Sequence, residues 1–165
     1  MEPHARQSEQ RPGSAPVRER RREARPVEIR PVGTRRELRT FIRLPWRVYA
    51  RSANWVPPLL SERNRHLDPR RNPFFEHADG EYFLAWRGGE PIGRITAHVD
   101  HRLNVFKSNR WGLFGFFERE RDPSAAGALL DATEAWLRER RRDRMLGPLD
   151  FSTNHECGLL IEVTI

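Results

Sequence analysis

The first patterned stretch of the chain carries the apolar period of a strand and then that of a helix. Residues 27–32 alternate apolar and polar side chains, which predicts a half-buried strand. Thr34 and Glu37 have the spacing of a capping box and predict a helix start. The apolar positions that share one side of this helix are Leu38, Phe41, Ile42 and Leu44. Pro45 is expected to end or kink the helix.

The middle of the chain has the pattern of a hairpin followed by a buried strand. Residues 57–66 open with two prolines and predict a short helix. Residues 82–86 and 91–99 are strand-like and flank Gly88-Gly89, which predicts a β-hairpin. Residues 110–117 are almost continuously apolar, so we expect a central strand that is covered on both faces.

A helix and a further strand follow. Asp122 is expected to cap this helix and Pro123 to occupy its first position. Its apolar positions repeat at helical spacing at Ala126, Leu129, Leu130, Thr133, Trp136 and Leu137. Residues 144–149 predict the next strand, and strand, helix and strand at this spacing imply a parallel crossover. The fold class predicted is α/β, with a mixed sheet and helices on both faces.

Composition limits the class of protein. The chain has 165 residues, enough for one domain with a core, and its one cysteine, Cys157, excludes an internal disulfide. No apolar run approaches the roughly 20 residues of a membrane-spanning helix. We therefore expect a cytoplasmic protein with no membrane partner.

The net charge of +7 lies mostly in the N-terminal part of the chain. Residues 1–36 contain 10 Arg and 5 Glu, whereas the remainder is nearly neutral. Residues 1–26 are poor in apolar side chains and are predicted to be a disordered, Arg-rich tail. The run from Arg18 to Arg25 leaves open an anionic-surface or nucleic-acid ligand. The aromatic residues are not interleaved with a basic face, so a nucleic-acid partner is not favoured.

Several motifs, together with the order of elements, resemble one known superfamily. They are residues 41–46 (FIRLPW), 54–59 (NWVPPL), 72–78 (NPFFEHA), 115–118 (GFFE), 147–148 (GP) and 152–160 (STNHECGLL). The stretch from Val27 to Leu160 resembles the GCN5-related N-acetyltransferase (GNAT) superfamily, in an uncharacterised bacterial branch. By this resemblance residues 27–160 look like an N-terminal domain that lacks the C-terminal strands, and residues 161–165 diverge. An uncovered sheet edge would then favour self-association.

The resemblance implies acyl transfer from acetyl-CoA or another acyl-CoA to an amine, either a small molecule or a peptide. The pantetheine arm would lie between the central strand and the strand after the crossover helix, with the pyrophosphate at the helix start. The cofactor-binding candidates carried over by motif are Phe116, Phe117, Ser124, Ala125, Gly127 and Asn154. Asn154 would open the helix after the last strand.

The residues at the end of the central strand leave the activity open. Glu118 follows an apolar strand and is the candidate general base, although such a residue often only marks where a strand reaches water. The turn from Glu118 to Gly127 is acidic and poor in glycine, which favours a catalytically silent binding or scaffold domain as the alternative. His155, Glu156 and Cys157 are adjacent, and neighbouring helical residues point apart, so no metal site is predicted.

Two other polar groups have a structural and a functional interpretation. Cys157 is expected to be a small packed residue of the following helix rather than a nucleophile. His98, Asp100, His101 and Asn104 end the second hairpin strand and either line a substrate pocket or bond locally in a turn.

Overall fold

The computed structural model describes residues 25–158, so most of the predicted tail (1–26) and the whole of the predicted divergent end (161–165) lie outside the described residues. Five strands and four α-helices follow one another along the described chain. They are β1 (Glu28–Pro31), α1 (Arg35–Val48), α2 (Leu60–His66), a 3₁₀ helix (Pro73–Glu76), β2 (Ala78–Arg87), β3 (Glu90–Asp100), α3 (His101–Lys107), β4 (Trp111–Arg119), α4 (Pro123–Glu139) and β5 (Arg144–Leu146).

The strands form one mixed sheet in the order β1-β2-β3-β4-β5. The first three pairings are antiparallel, and the hairpin predicted across Gly88-Gly89 is confirmed as β2 and β3. β4 and β5 pair in parallel, with Trp111 opposite Arg144, so the predicted crossover through α4 is confirmed. The middle strand of the five is β3, and β4 lies next to it.

Helix α1 begins where the sequence predicts and continues beyond an internal proline, Pro45. The Thr34 Oγ1 accepts the Glu37 N–H at 3.1 Å, and the Glu37 carboxylate accepts the Thr34 N–H at 2.8 Å. Of the two expected effects of Pro45, an end of the helix is wrong, because the helix continues to Val48. Proline cannot donate to the carbonyl four residues before it, that of Phe41. Instead that carbonyl accepts the Arg94 Nη1–H at 2.8 Å, so the lost helical bond is replaced.

The sheet carries a core on each face, because neighbouring residues of β2 point to opposite sides. One core joins β2 to α1 and the 3₁₀ helix and contains Phe41, Ile42, Leu44, Leu67, Phe74, Ala78, Tyr82, Leu84, Phe116 and Phe151. The other joins β2 and β3 to α4 and contains Phe83, Ala85, Ile92, Ile95, Ala97, Val99, Ala125, Leu129, Trp136 and Leu137. The predicted helices on both faces are thus present.

The segment after β3 is a helix that sequence patterning missed. Asp100 caps α3 by accepting the Leu103 N–H at 3.0 Å. Asn104 on this helix bonds both the N–H and the carbonyl of Trp111 at 2.9 Å. His98 is buried in the sheet, whereas His101 pairs with Asp79 at the surface. These polar residues do not line one shared pocket.

The helix predicted to open at Asn154 is absent from the described chain. Residues 151–158 form turns, with Leu149 and Cys157 in an isolated bridge. Cys157 is exposed rather than packed. The turn bonds locally, since the Ser152 Oγ lies 3.0 Å from His155 Nδ1 and accepts the Asn154 N–H at 3.3 Å. Among the described residues, no helix combines the length and the apolar character needed to cross a membrane.

Candidate functional site

The end of β4 is irregular where the sequence predicts a general base and cofactor-binding residues. Arg94 of β3 lies opposite Glu118 and Thr96 lies opposite Gly115, so β4 has one extra residue in between and bulges. Phe116, within this bulge, has a φ of 48° although it is not glycine. Its N–H donates to the Asp150 Oδ1 at 2.7 Å. The bulge therefore turns a backbone donor toward the chain that follows β5.

That following chain covers the edge of β4. The Leu149 N–H donates to the Phe114 carbonyl at 2.7 Å. A Cβ on Gly115 would lie 2.0 Å from the Leu149 carbonyl oxygen, so only glycine allows this approach. The gap beside β4, where the family resemblance places a pantetheine arm, is thus filled by residues 149–151.

Phe151 anchors this segment in a cage of rings. Its side chain is fully buried, with a φ of 74°. The ring centroids around it are those of Phe74 at 5.0 Å, Phe75 at 5.2 Å, His66 at 5.0 Å, His98 at 5.6 Å and Phe116 at 5.0 Å. Offset and edge contacts of this kind add to the free energy of burial. The cage holds the Asp150 carboxylate against the bulge.

Asp150 is a buried carboxyl group at the bulge. Burial raises the pKa of Asp150 to about 6, although the Phe116 N–H opposes the shift. Arg63 Nη1 lies 3.9 Å from its Oδ2, and the same guanidinium pairs with Glu156. An acid with such a pKa exchanges protons near neutral pH, which suits general acid–base catalysis.

Two imidazoles, those of His66 and His155, lie at the ring cage of Phe151. The rings of His66 and His155 are 4.6 Å apart between centroids, and His66 also contacts Phe116 at 5.8 Å. Burial, with the neighbouring His155, lowers the pKa of His66 to about 4. His66 is therefore neutral at pH 7 and able to accept a proton.

Glu118, the predicted general base, is held by an arginine. Its carboxylate pairs with Arg94, whose side chain is 6% exposed and whose guanidinium lies 4.9 Å from the Phe41 ring. Burial, and then the Glu118 charge, raise the pKa of the nearby Tyr49 hydroxyl. Glu118 thus offsets the charge of a buried arginine.

The start of α4 is occupied by its own cap. The Asp122 Oδ1 accepts the N–H groups of Ser124 at 3.1 Å and Ala125 at 3.3 Å. Arg87 lies 2.7 Å from the other oxygen. Burial would raise the pKa of Asp122, but these hydrogen bonds and the Arg87 charge lower it overall. A carboxylate thus sits where the resemblance places a pyrophosphate.

The structure brings together some of the predicted site residues and separates others. Phe116 joins the core next to α1, whereas Phe117 packs with the core next to α4. Gly127 is exposed on α4, with open space where a side chain would be. Asn154 lies in an exposed turn.

The residues added by the structure are Asp150, His66, Arg94 and Tyr49, which lie far apart in sequence. Asp150 follows a strand and His66 ends a helix, and neither position has a sequence signal that marks it as functional.

Comparison with known proteins finds two relatives that match this chain over part of their own length. The chain is 43% identical over 136 residues to the "Bacterial ceramide synthase" of Caulobacter vibrioides (strain NA1000 / CB15N). It is 38% identical over 136 residues to "Protein YghO" of Escherichia coli (strain K12). These matches cover 82% and 81% of this chain but 35% and 34% of the relatives, so the chain spans about a third of their length. No family model matches the chain.

Solved acetyltransferases share the fold. An aminoglycoside acetyltransferase from an uncultured soil metagenomic sample superposes with a TM-score of 0.50 at 14% identity, covering 84% of this chain and 96% of that one. A ribosomal-protein-alanine N-acetyltransferase from Brucella melitensis biovar Abortus 2308 gives 0.50 at 18% identity, covering 73% and 78%. The predicted GNAT-like α/β fold is thereby confirmed.

Proposed function

We propose that this chain is part of an N-acyltransferase that moves an acyl group from acyl-CoA to an amine. The observation that carries the proposal is the 43% identity over 136 residues to a protein named as a ceramide synthase. The acetyltransferase-like fold supports the same class of reaction. Fold alone does not determine function, so the relative provides the stronger support.

The relative's name suggests a class of acceptor. A ceramide is the amide of a fatty acid with a long-chain amino alcohol. We therefore propose a long-chain amine as the acceptor and a fatty acyl-CoA as the donor. The sequence-based expectation of a small-molecule or peptide amine is narrowed to this class.

The reaction needs a group that accepts one proton. The amine nitrogen attacks the thioester carbonyl carbon, the C–N bond forms, and the C–S bond breaks. The leaving CoA thiolate takes up one proton, and the amine loses one to a base. Glu118 remains the candidate base from sequence, but its carboxylate pairs with Arg94. Asp150 at the bulge is a further candidate, since it is largely unprotonated at pH 7 and its pKa of about 6 lies near that pH, whereas His66, with a pKa of about 4, is a weaker base.

Entry of a pantetheine arm beside β4 requires the covering segment to move. Residues 149–151 bond Phe114 and Phe116 at 2.7 Å, which are the backbone positions such an arm would use. Displacing them would expose the Phe116 N–H for the thioester carbonyl. Acyl-CoA and this segment would thus compete for the same backbone groups of β4.

A catalytically silent domain is the second candidate. It is favoured by the Asp122 carboxylate, which already occupies the Ser124 and Ala125 N–H groups at 3.1 and 3.3 Å. A dianionic pyrophosphate would have to replace this cap and lie near Glu118 and Glu120. A domain that never binds CoA would keep this arrangement unchanged.

Calorimetry and a transfer assay on the full chain distinguish the two candidates. Palmitoyl-CoA and sphinganine serve as probes, with free thiol and amide product measured together. We expect one thiol per amide, and a loss of turnover of roughly 100-fold in Asp150→Asn if Asp150 is the base. Asp143→Asn, at an exposed ion pair with Arg110, is the matched control. Absence of both CoA binding and product would instead support the silent domain.

A further inference from the structure

A groove lies at the N-terminal end of α1. It has a volume of about 740 Å³ and lies between the start of α1 and the loop after α2. The opposite end of α1 is tied to the end of β4, since Arg47 pairs with Glu120 at 2.7 Å. With 14 residues at 1.5 Å each, the two ends of α1 are about 20 Å apart. The arginines at the start of α1 are therefore remote from the end of β4, although the groove-lining residues Asn64 and Asp68 flank His66 in sequence.

Four arginines line the groove. They are Arg35 and Arg39 of α1 and Arg70 and Arg71 of the loop, and all four are exposed. Within residues 25–158, none of them forms an ion pair. Like charges that line one groove repel one another, so an anion bound between them would lower the free energy.

The nearby carboxylates are directed to the backbone. Asp68, which also lines the groove, accepts the Arg70 N–H at 3.0 Å. Glu37 accepts the N–H groups of Gly33 at 3.0 Å and Thr34 at 2.8 Å. These hydrogen bonds hold in place the loop and the helix start to which the arginines belong. The four arginines outnumber the nearby carboxylates, so the lining of the groove has a net positive charge.

The shape of the groove favours more than a small ion. Its remaining lining includes Val32, Leu38, Pro69 and Tyr82, which give it an apolar floor. A single inorganic phosphate would leave most of 740 Å³ unfilled. Arginine forks bind phosphate oxygens in pairs of hydrogen bonds. A phosphate diester with an apolar extension fits both features.

We propose that this groove binds the head group of an anionic phospholipid and so holds the domain at a membrane surface. The positive arginines, which form no ion pair within the described part of the chain, attract the phosphate. The apolar floor accepts the adjoining glycerol and upper acyl carbons. The site departs from the sequence-based expectation of no membrane partner. It does not depend on acyl transfer, because none of the groove arginines is a candidate residue for that reaction.

Vesicle flotation with the full chain tests this site. Vesicles of phosphatidylcholine alone are compared with vesicles that contain roughly one-third phosphatidylglycerol. We expect binding to the anionic vesicles only. The triple variant Arg39→Gln, Arg70→Gln, Arg71→Gln should weaken it by roughly 100-fold, on the basis of about five-fold for each arginine near the surface.

A charge-matched variant separates the groove from general attraction. Arg51→Gln, Arg102→Gln, Arg121→Gln removes the same charge from exposed positions outside the groove and should lower binding by less than about five-fold. Equal losses in both triple variants would overturn the proposal and indicate non-specific attraction. Binding of soluble glycerophosphoglycerol but not of vesicles would also overturn it, in favour of a small-anion site. Both variants change exposed side chains, and circular dichroism confirms that they fold.

Discussion

At the scale of single residues, one face of β3 carries polar groups into an apolar core. Arg94, Thr96 and His98 alternate along the strand, and all three are buried. Arg94 is satisfied by Glu118 and the Phe41 carbonyl. The Thr96 hydroxyl and both His98 nitrogens lack a hydrogen bond of normal geometry among the described residues, although the Phe151 backbone is near His98. This row reaches from the bulge to the ring cage of Phe151.

His98 makes stability depend on pH. Burial lowers the pKa of His98 to about 3 in the folded protein, against an ordinary value of 6.5. Its contribution is therefore fully present above about pH 6.5 and is lost as the pH falls, because the unfolded chain binds the proton first. In His98→Leu this pH-dependent loss of unfolding free energy should be absent. Chemical denaturation should show wild type losing about 2 kcal/mol in total between pH 7 and pH 5 relative to the variant.

The control for His98 is an exposed histidine. His101→Gln, at a surface pair with Asp79, should leave the pH dependence of the wild type almost unchanged. If His98→Leu and wild type lose stability in parallel, His98 is not buried in the neutral form.

Glu118 is expected to be important for stability whether or not it acts as a base. Glu118→Ala leaves the charge of Arg94 buried without its partner, which should lower the free energy of unfolding by about 3 kcal/mol. Glu90→Ala, whose side chain is 59% exposed beside Arg47, should cost less than about 1 kcal/mol. Urea denaturation of the two variants measures the difference. Equal effects would show that Arg94 does not depend on Glu118.

At the scale of elements, the relation between β4 and residues 149–151 decides whether the candidate site is open. The segment uses backbone bonds to Phe114 and Phe116 and a side chain, Phe151, in a cage of rings. β5 itself pairs over only three residues, from Arg144 to Leu146. The parallel pairing is thus extended by a chain that is not a regular strand.

A methyl group on Gly115 should displace this segment. Gly115→Ala places a Cβ 2.0 Å from the Leu149 carbonyl oxygen, and the neighbour there is backbone that cannot rotate away. Hydrogen exchange at the Leu149 and Phe116 amides should become at least ten-fold faster, since both lose their acceptors. If acyl-CoA uses the same edge, calorimetry should also show tighter CoA binding.

Gly127→Ala is the matched glycine control. The position lies inside α4 with open space around it, so alanine should stabilise the protein by about 1 kcal/mol. It should leave the Leu149 and Phe116 amides unchanged. Faster exchange in both variants would mean that the effect of Gly115→Ala is global rather than local.

At the scale of the whole molecule, one sheet is shared by two cores. Leu84 faces the core that includes α1, whereas its neighbour Ala85 faces the core that includes α4. Neither set of helices can leave without exposing one face of β2 and β3. The described domain should therefore unfold as a single cooperative unit.

Substitutions in the two cores test this cooperativity. Phe41→Ala and Leu129→Ala lie on opposite faces and remove fully buried side chains. Each should lower the free energy of unfolding by about 3 to 5 kcal/mol. Urea transitions followed by tryptophan fluorescence and by circular dichroism should still coincide for each variant. Separate transitions would show that the cores fold independently.

Elements with strong local signals were predictable. The Thr34–Glu37 capping box, the hairpin around Gly88-Gly89 and the proline start of α4 all depend on contacts between residues near in sequence. Helix α3 was missed because its only strong signal is the Asp100 cap, and its side chains Val105 and Phe106 are exposed. The helix does not end at Pro45, because a distant residue, Arg94, donates a hydrogen bond to the free Phe41 carbonyl.

In the candidate site, too, some residues were predictable from local sequence and others were not. Glu118, Ser124 and Ala125 lie where the motif places them, at the end of β4 and the start of α4. Asp150, His66 and the bulge at Phe116 meet only when the sheet forms, since 50 and more residues separate His66 from its partners. Local pattern therefore determined the elements and their order. The tertiary structure alone decided which polar groups are buried, what their pKa values become, and which segment covers β4. The reason is that burial and long-range hydrogen bonds do not exist until distant segments pack together.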